Sequence, residues 1–173
     1  MDDTMFYIWM TIGLVTHAVR STYEVLKHMK VIQPTRVSFV IMFANMALLW
    51  ASWMAMCETD VYRVPIPDAI RYIGLGIVVL GAVLFLTALL TIKALETYEG
   101  DLMTKGIYSK IRHPMYLSFI LWLIGYSVFT GSLISSIVSI IFIVNVLFWR
   151  YLEEKDLTLR YPMYDDYKQR TLF

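Results

Sequence analysis

From residue 69 to residue 92 the chain runs for 24 residues with a single charge, Arg71, near the start of the run. A helix needs about 20 mainly apolar residues to cross the hydrocarbon of a bilayer. In lipid a backbone must satisfy its own polar groups, so a run of this kind can fold only as a helix or as part of a closed barrel, and its length selects the helix. Residues 37–57 form a second run, with no charge at all. The rest of the chain follows suit: 58% of its 173 residues are apolar and 17% charged, with a mean hydropathy of +0.60. Soluble domains carry about 45–50% and about 25%, and a domain of this size cannot hide the excess in one small core. The sequence therefore predicts an all-α fold, a polytopic membrane helix bundle of about five transmembrane helices, with residues 1–173 as a single integral membrane domain.

The remaining spans are less pure. The first, residues 5–26, carries His17, Arg20 and Glu24 at helical spacing. Charge in hydrocarbon is costly, so this stripe should face the bundle interior or the interface. It reads equally well as an intrahelical pair or as the rim of a substrate entrance. The last two spans, 115–130 and 133–149, are short and separated only by Gly131-Ser132, which reads as a C-terminal helical hairpin followed by a cytosolic tail.

The loops give an independent count. With the N-terminus outside, the inner segments hold Lys27, Lys30, Arg36, Lys93, Lys105, Lys110, Arg112, Arg150, Lys155, Arg160, Lys168 and Arg170. The outer segments hold Arg63 and Arg71. Twelve against two is the sense expected when positive loops stay in the cytoplasm. The acidic start, Asp2 and Asp3, lacks the basic region of a cleavable signal peptide. One cysteine, Cys57, excludes an internal disulfide and any zinc site built on several thiolates. A net charge of +1 without a basic block gives no sign of nucleic acid.

Hydrophobicity leaves function open; the informative part begins near Leu102. Residues 102–116 are polar and aromatic. Gly106 permits a backbone turn, and Pro114 suits the first turn of the fourth helix, whose free amides then face the loop and are available to a ligand. A second polar group follows the fifth helix: Arg150, Glu153 and Glu154, then Tyr161, Tyr164 and Tyr167. Arg150 and Glu154 are four residues apart and share a helix face. An up-and-back hairpin should set them beside His113 and Tyr116.

The pattern Thr104-Lys105-Gly106-Ile107-Tyr108, then Arg112-His113-Pro114-Met115-Tyr116, then Arg150 and Glu153-Glu154, resembles the isoprenylcysteine carboxyl methyltransferase family and its phospholipid methyltransferase relatives. The resemblance covers about the last 75 residues, and its specific signal is the spacing of loop and tail. It implies S-adenosyl-L-methionine as cofactor, in a site formed by 100–116 and 150–170. Leu102, Met103, Tyr108, His113, Pro114, Met115, Tyr116 and Glu154 would bind the cofactor, and Arg150 would hold the substrate carboxylate. The implied acceptor is a lipid-like, prenylcysteine-type small molecule entering from the bilayer among membrane lipids, with the active site at the cytoplasmic face. Where the family usually has Phe-Gly after the paired glutamates, this chain has Tyr161-Pro162. The amino-terminal spans of the eukaryotic enzymes have no counterpart, as in a compact prokaryotic member.

Other readings compete. A phospholipid or other lipid amine could be the acceptor, although an amine must lose a proton and a fixed arginine beside it would be unhelpful. Membrane sterol reductases, which use a nicotinamide cofactor, carry a similar Arg-His-Pro-Asn-Tyr stretch, but here Met115 stands in place of that Asn. Lys105, Lys110 and Arg112 could be interfacial anchors, and Trp122 and Trp149 fit an aromatic belt. Glu153 reads as a solvated neighbour of Glu154. His113 is not expected to act as a base.

Overall fold

The computed structural model describes residues 3–92 and 101–173. Asp2, Lys93 and the Gly100 end of the expected cofactor segment lie outside them. Among the described residues six α-helices follow in order: α1 (Asp3–His28), α2 (Arg36–Glu58), α3 (Asp68–Ile92), α4 (Pro114–Thr130), α5 (Leu133–Arg160) and α6 (Tyr164–Arg170), with a 3-10 turn over Gly106–Ser109. Among the described residues α2, α3 and α5 are long and apolar enough to cross a membrane. The helix α1 is 26 residues long but interrupted by charge, and α4 has 17 residues, about 25 Å at 1.5 Å per residue. Side chains such as Ile73, Val79, Val83, Leu86 and Leu90 of α3 are exposed, as lipid-facing surface requires. The protein is a membrane protein.

Packing places the site-bearing hairpin at the centre. The closest pairing is α3 with α4, followed by α1 with α2; α5 packs on both α4 and α1. The core cluster draws Phe6 from α1, Leu49, Trp53, Met56 and Cys57 from α2, Leu123 from α4, and Phe142, Val146 and Trp149 from α5. The polar stripe of α1 turns inward: His17 and Glu24 are buried, with His17 stacked 3.9 Å from Phe142. Arg20 and Glu24 form an ion pair, and Lys27 joins it at 2.6 Å. Trp149 does not lie on the outer surface of the bundle, where a belt residue would. It is buried in this core and donates from Nε1 to Ser21 Oγ at 2.9 Å. Trp122 likewise packs within the bundle and donates to Val78 O at 3.1 Å, because at these levels a neighbouring helix supplies the partner that an indole needs when buried.

The hairpin turn is locked at the end opposite the loop. Gly131 ends α4 in the left-handed region (φ 68°), the usual helix stop, and a side chain there would meet Val64 O at 2.8 Å. Arg63 donates to Thr130 O at 3.1 Å and Cys57 O at 3.2 Å, so one guanidinium closes the ends of α2 and α4. Asp60 accepts from the backbone and hydroxyl of Ser135, both at 2.7 Å, at the start of α5, where a carboxylate suits the helix dipole.

Close approach of α3 and α4 depends on missing side chains. A Cβ on Gly74 would lie 2.8 Å from Gly125 O, and one on Gly125 would lie 2.8 Å from Gly74 O. Small residues let membrane helices pack backbone to backbone in this way. Gly76, by contrast, faces open space. Gly125→Val should therefore destabilise the bundle by about 1–3 kcal/mol through overpacking, read as a lower melting temperature in detergent, while Gly76→Val leaves it unchanged. Equal melting temperatures for the two variants would contradict the seam.

Candidate functional site

Pro114 opens α4 at its first position with His113 as the N-cap. Because proline has no amide to lose, the turn starts cleanly, and His113 is held at the mouth of the loop. The apolar run of α5 ends at Trp149; from Arg150 onward its last turns are polar and continue as helix to Arg160. Tyr161 is the C-cap, and Pro162 follows, so the helix stops there. The chain then turns back through α6.

These elements meet on Glu154. Its carboxylate Oε1 lies 3.3 Å from Arg112 Nε, 3.3 Å from His113 Nε2 and 4.0 Å from Arg150 Nε. Oε2 accepts from Lys168 Nζ at 3.1 Å. Glu154 is 8% exposed and His113 5%. A carboxylate only accepts, so His113 must carry its proton on Nε2 for that contact to be a hydrogen bond. The bond from His113, reinforced by Lys168, holds the Glu154 carboxyl well below the usual carboxylate range against the opposing effect of burial. A lowered carboxyl pKa contributes stability that is complete above the unfolded value, about 4.3, and is lost only as acid drives the pH through the folded value. Glu154 is thus ionised at neutral pH.

The tail is fastened over the loop. Arg112 donates from Nη1 to Lys168 O at 2.9 Å and Thr171 O at 2.7 Å, which caps the end of α6. Backbone bonds run from Arg112 N to Leu172 O at 3.0 Å, from His113 N to Phe173 O at 3.3 Å and from Leu172 N to Lys110 O at 2.8 Å. The Tyr167 hydroxyl donates to Tyr108 O at 2.6 Å, and the Tyr164 hydroxyl lies 3.3 Å from His113 Nε2. Burial raises all three tyrosine hydroxyls, Tyr167 to about 12, so they remain protonated.

The expected residues are distributed as follows. His113, Arg150 and Glu154 converge. Tyr108 is buried in the 3-10 turn beneath Tyr167. Tyr116 lies tilted against His113, ring centres 5.7 Å apart, and turns its hydroxyl toward Glu153, which is exposed. Pro114 is buried and Met115 half-buried at the start of α4. Leu102 and Met103 lie half-buried in the irregular segment before the turn, and no hydrogen bond among the described residues ties them to the cluster. The Arg150 guanidinium sits 4.5 Å over the Phe173 ring, a cation–π contact.

Sequence reasoning named Tyr164 in the polar tail without giving it a role, and it missed Lys168 and the buckle made by Arg112. Arg112 could have been found, since it adjoins His113 in the motif. Lys168 carries no local signal; only the fold-back of α6 brings it to Glu154. Removing the buckle gives a direct check. Hydrogen bonds to charged groups contribute roughly 1.5–3 kcal/mol, so Arg112→Ala should speed amide hydrogen exchange in residues 164–173 by about 10–100-fold while the exchange of α2 and α3 stays the same. Unchanged exchange in the tail would deny the tether.

The chain is 32% identical over 90 residues to protein-S-isoprenylcysteine O-methyltransferase B of Arabidopsis thaliana, in an alignment covering 47% of this chain and 43% of that protein. The chain thus spans less than half the length of that curated relative. No solved structure matches it. The phospholipid methyltransferase family matches residues 70–163, more than half of the chain, from the first turn of α3 to just past the end of α5. The two glycines of the α3–α4 seam, the Arg-His-Pro loop and the Glu154 cluster all fall inside that stretch or directly against it, and the chain belongs to the phospholipid methyltransferase family.

Proposed function

We propose that this protein is an S-adenosylmethionine-dependent methyltransferase that methylates the carboxylate of a membrane-borne, prenylcysteine-type substrate. The observation that carries the reading is the meeting of His113, Arg150 and Glu154 at one end of the α4–α5 hairpin. The kinship with an isoprenylcysteine O-methyltransferase supports it. In this reading residues 1–173 form one integral membrane domain of five crossing helices, with the N-terminus outside. The C-terminus and the site, drawn from 100–116 and 150–170, lie at the cytoplasmic face.

The residues fit the cofactor. A buried carboxylate ringed by cations suits a ligand that carries both charges, and Tyr108 and Tyr116 offer flat apolar surface beside it. Leu102, Met103, Tyr108, His113, Pro114, Met115, Tyr116 and Glu154 would hold it. Bound there, S-adenosylmethionine supplies a methyl group activated by its positive sulfur. An acceptor carboxylate is already ionised near neutral pH, with reference values of roughly 3–4, so no general base is required. This agrees with His113, whose Nε2 proton is directed at Glu154. Arg150 would grip the acceptor carboxylate with its planar fork and fix its approach. Alignment of that kind lowers barriers by about 7–11 kcal/mol in well-ordered systems. To do this the guanidinium must leave the Phe173 ring or share it.

The description of the matching family favours a second reading, N-methylation of a phospholipid amine. Arg150 weighs against it, because a fixed cation repels an ammonium acceptor. Radiolabelled donor offered with farnesylcysteine and phosphatidylethanolamine in parallel separates the two: a base-labile product marks an ester, and a base-stable one an N-methyl group.

Two substitutions test the roles. Glu154→Ala should weaken S-adenosylmethionine binding at least about tenfold by calorimetry, the worth of a charge-assisted bond; unchanged affinity would remove Glu154 from the cofactor site. Arg150→Ala should leave donor affinity intact while turnover of a carboxylate acceptor disappears, and full turnover would favour the amine.

A further inference from the structure

Three cations, Arg112, Arg150 and Lys168, surround the single carboxylate of Glu154, but they are not equivalent. Arg112 is 9% exposed in its side chain and committed to the carbonyls of Lys168 and Thr171. Arg150 stands farther away, at 4.0 Å, under Phe173. Lys168 reaches in from the solvent side, with 48% of its side chain exposed, and takes the other carboxylate oxygen. Its ammonium is a compact charge on a flexible stem with three donors. It can swing away at little cost, while the arginines hold the loop and tail together.

We infer that Glu154 and Lys168 form an exchangeable ion pair that clamps the α-amino-acid end of the methyl donor. A ligand ammonium takes the place of Lys168 on Glu154, and the freed Lys168 takes the ligand carboxylate. The inference rests on the donor reading above and deepens it by naming the partner of the ligand's negative end. Charge balance supports it. Arg112, Arg150 and Lys168 against Glu154 leave two more positive charges than negative. A zwitterion inserted between Glu154 and Lys168 leaves that total unchanged while giving each buried or half-buried charge an opposite neighbour. A ligand offering the ammonium alone would instead strand Lys168 beside Arg112. Until a ligand arrives, Lys168 serves Oε2 of the buried carboxylate, the oxygen that Arg112 and His113 do not reach.

The position of α6 does not depend on Lys168, since Tyr167 is bonded to Tyr108, Tyr164 contacts His113, and Arg112 caps the helix end. Lys168→Met should therefore fold. The test measures, by calorimetry on the full chain in detergent, the affinities for S-adenosylhomocysteine, which carries the amino-acid end, and 5′-methylthioadenosine, which lacks it. The wild-type protein should prefer the former. Lys168→Met should cut that preference at least about tenfold with no loss of 5′-methylthioadenosine affinity, and Lys168→Arg should restore most of it. An unchanged or increased preference in Lys168→Met would overturn the clamp alone. Failure of the wild-type protein to bind either nucleoside would overturn the donor reading and the clamp with it.

Discussion

The carboxylate of Glu154 gathers donors from three separated stretches of chain: Arg112 and His113 from the loop, Arg150 from its own helix and Lys168 from the tail. In a chain with so few charges, this is where the polar parts of the molecule are joined. A half-satisfied carboxylate at this depth would be unfavourable, so loop, helix end and tail are held to one geometry by a common need. The backbone bonds between residues 110–113 and 172–173 add to that constraint, but Glu154 gives them a reason to form where they do.

The cluster depends in turn on features at the far end of the bundle. Arg63 and Asp60 fasten the α4–α5 turn, and Gly131 reverses the chain there without strain. Between the two ends, Gly74 and Gly125 let α3 lie against α4 nearly backbone to backbone. On the other side Phe142 and Trp149 of α5 stack on His17 of α1. The hairpin is therefore gripped along both faces, and its polar end inherits a fixed orientation. That rigidity suits a reaction whose catalysis would come from alignment more than from proton transfer.

A position at a membrane interface would suit the proposed chemistry. A charged nucleoside donor can approach a polar loop only from water, and a prenylated acceptor can approach a helix bundle sideways through lipid. In the proposed reading, the end of α4 and α5 where apolar helix gives way to charge is where both routes would meet.

Much of this was legible from residue order alone. The long apolar runs dictate helices because lipid offers no other partner for backbone groups. Gly131-Ser132 marks the reversal, and the four-residue spacing of Arg150 and Glu154 puts them on one face. The stripe of His17, Arg20 and Glu24 announces an inward face, since charge avoids lipid. Those are local rules, readable from neighbours in the chain. Two features could not be read that way. Trp149 looks like a belt residue by position, and only the packing of α5 on α1 supplies Ser21 and His17 as its partners. Lys168 looks like one more cytoplasmic cation, and only the stop at Tyr161-Pro162 followed by the return of α6 carries it to Glu154. Residue order determined which segments are helices and which groups must find partners. Tertiary structure decided which partners they found, because that choice is set by distances between segments far apart in the chain.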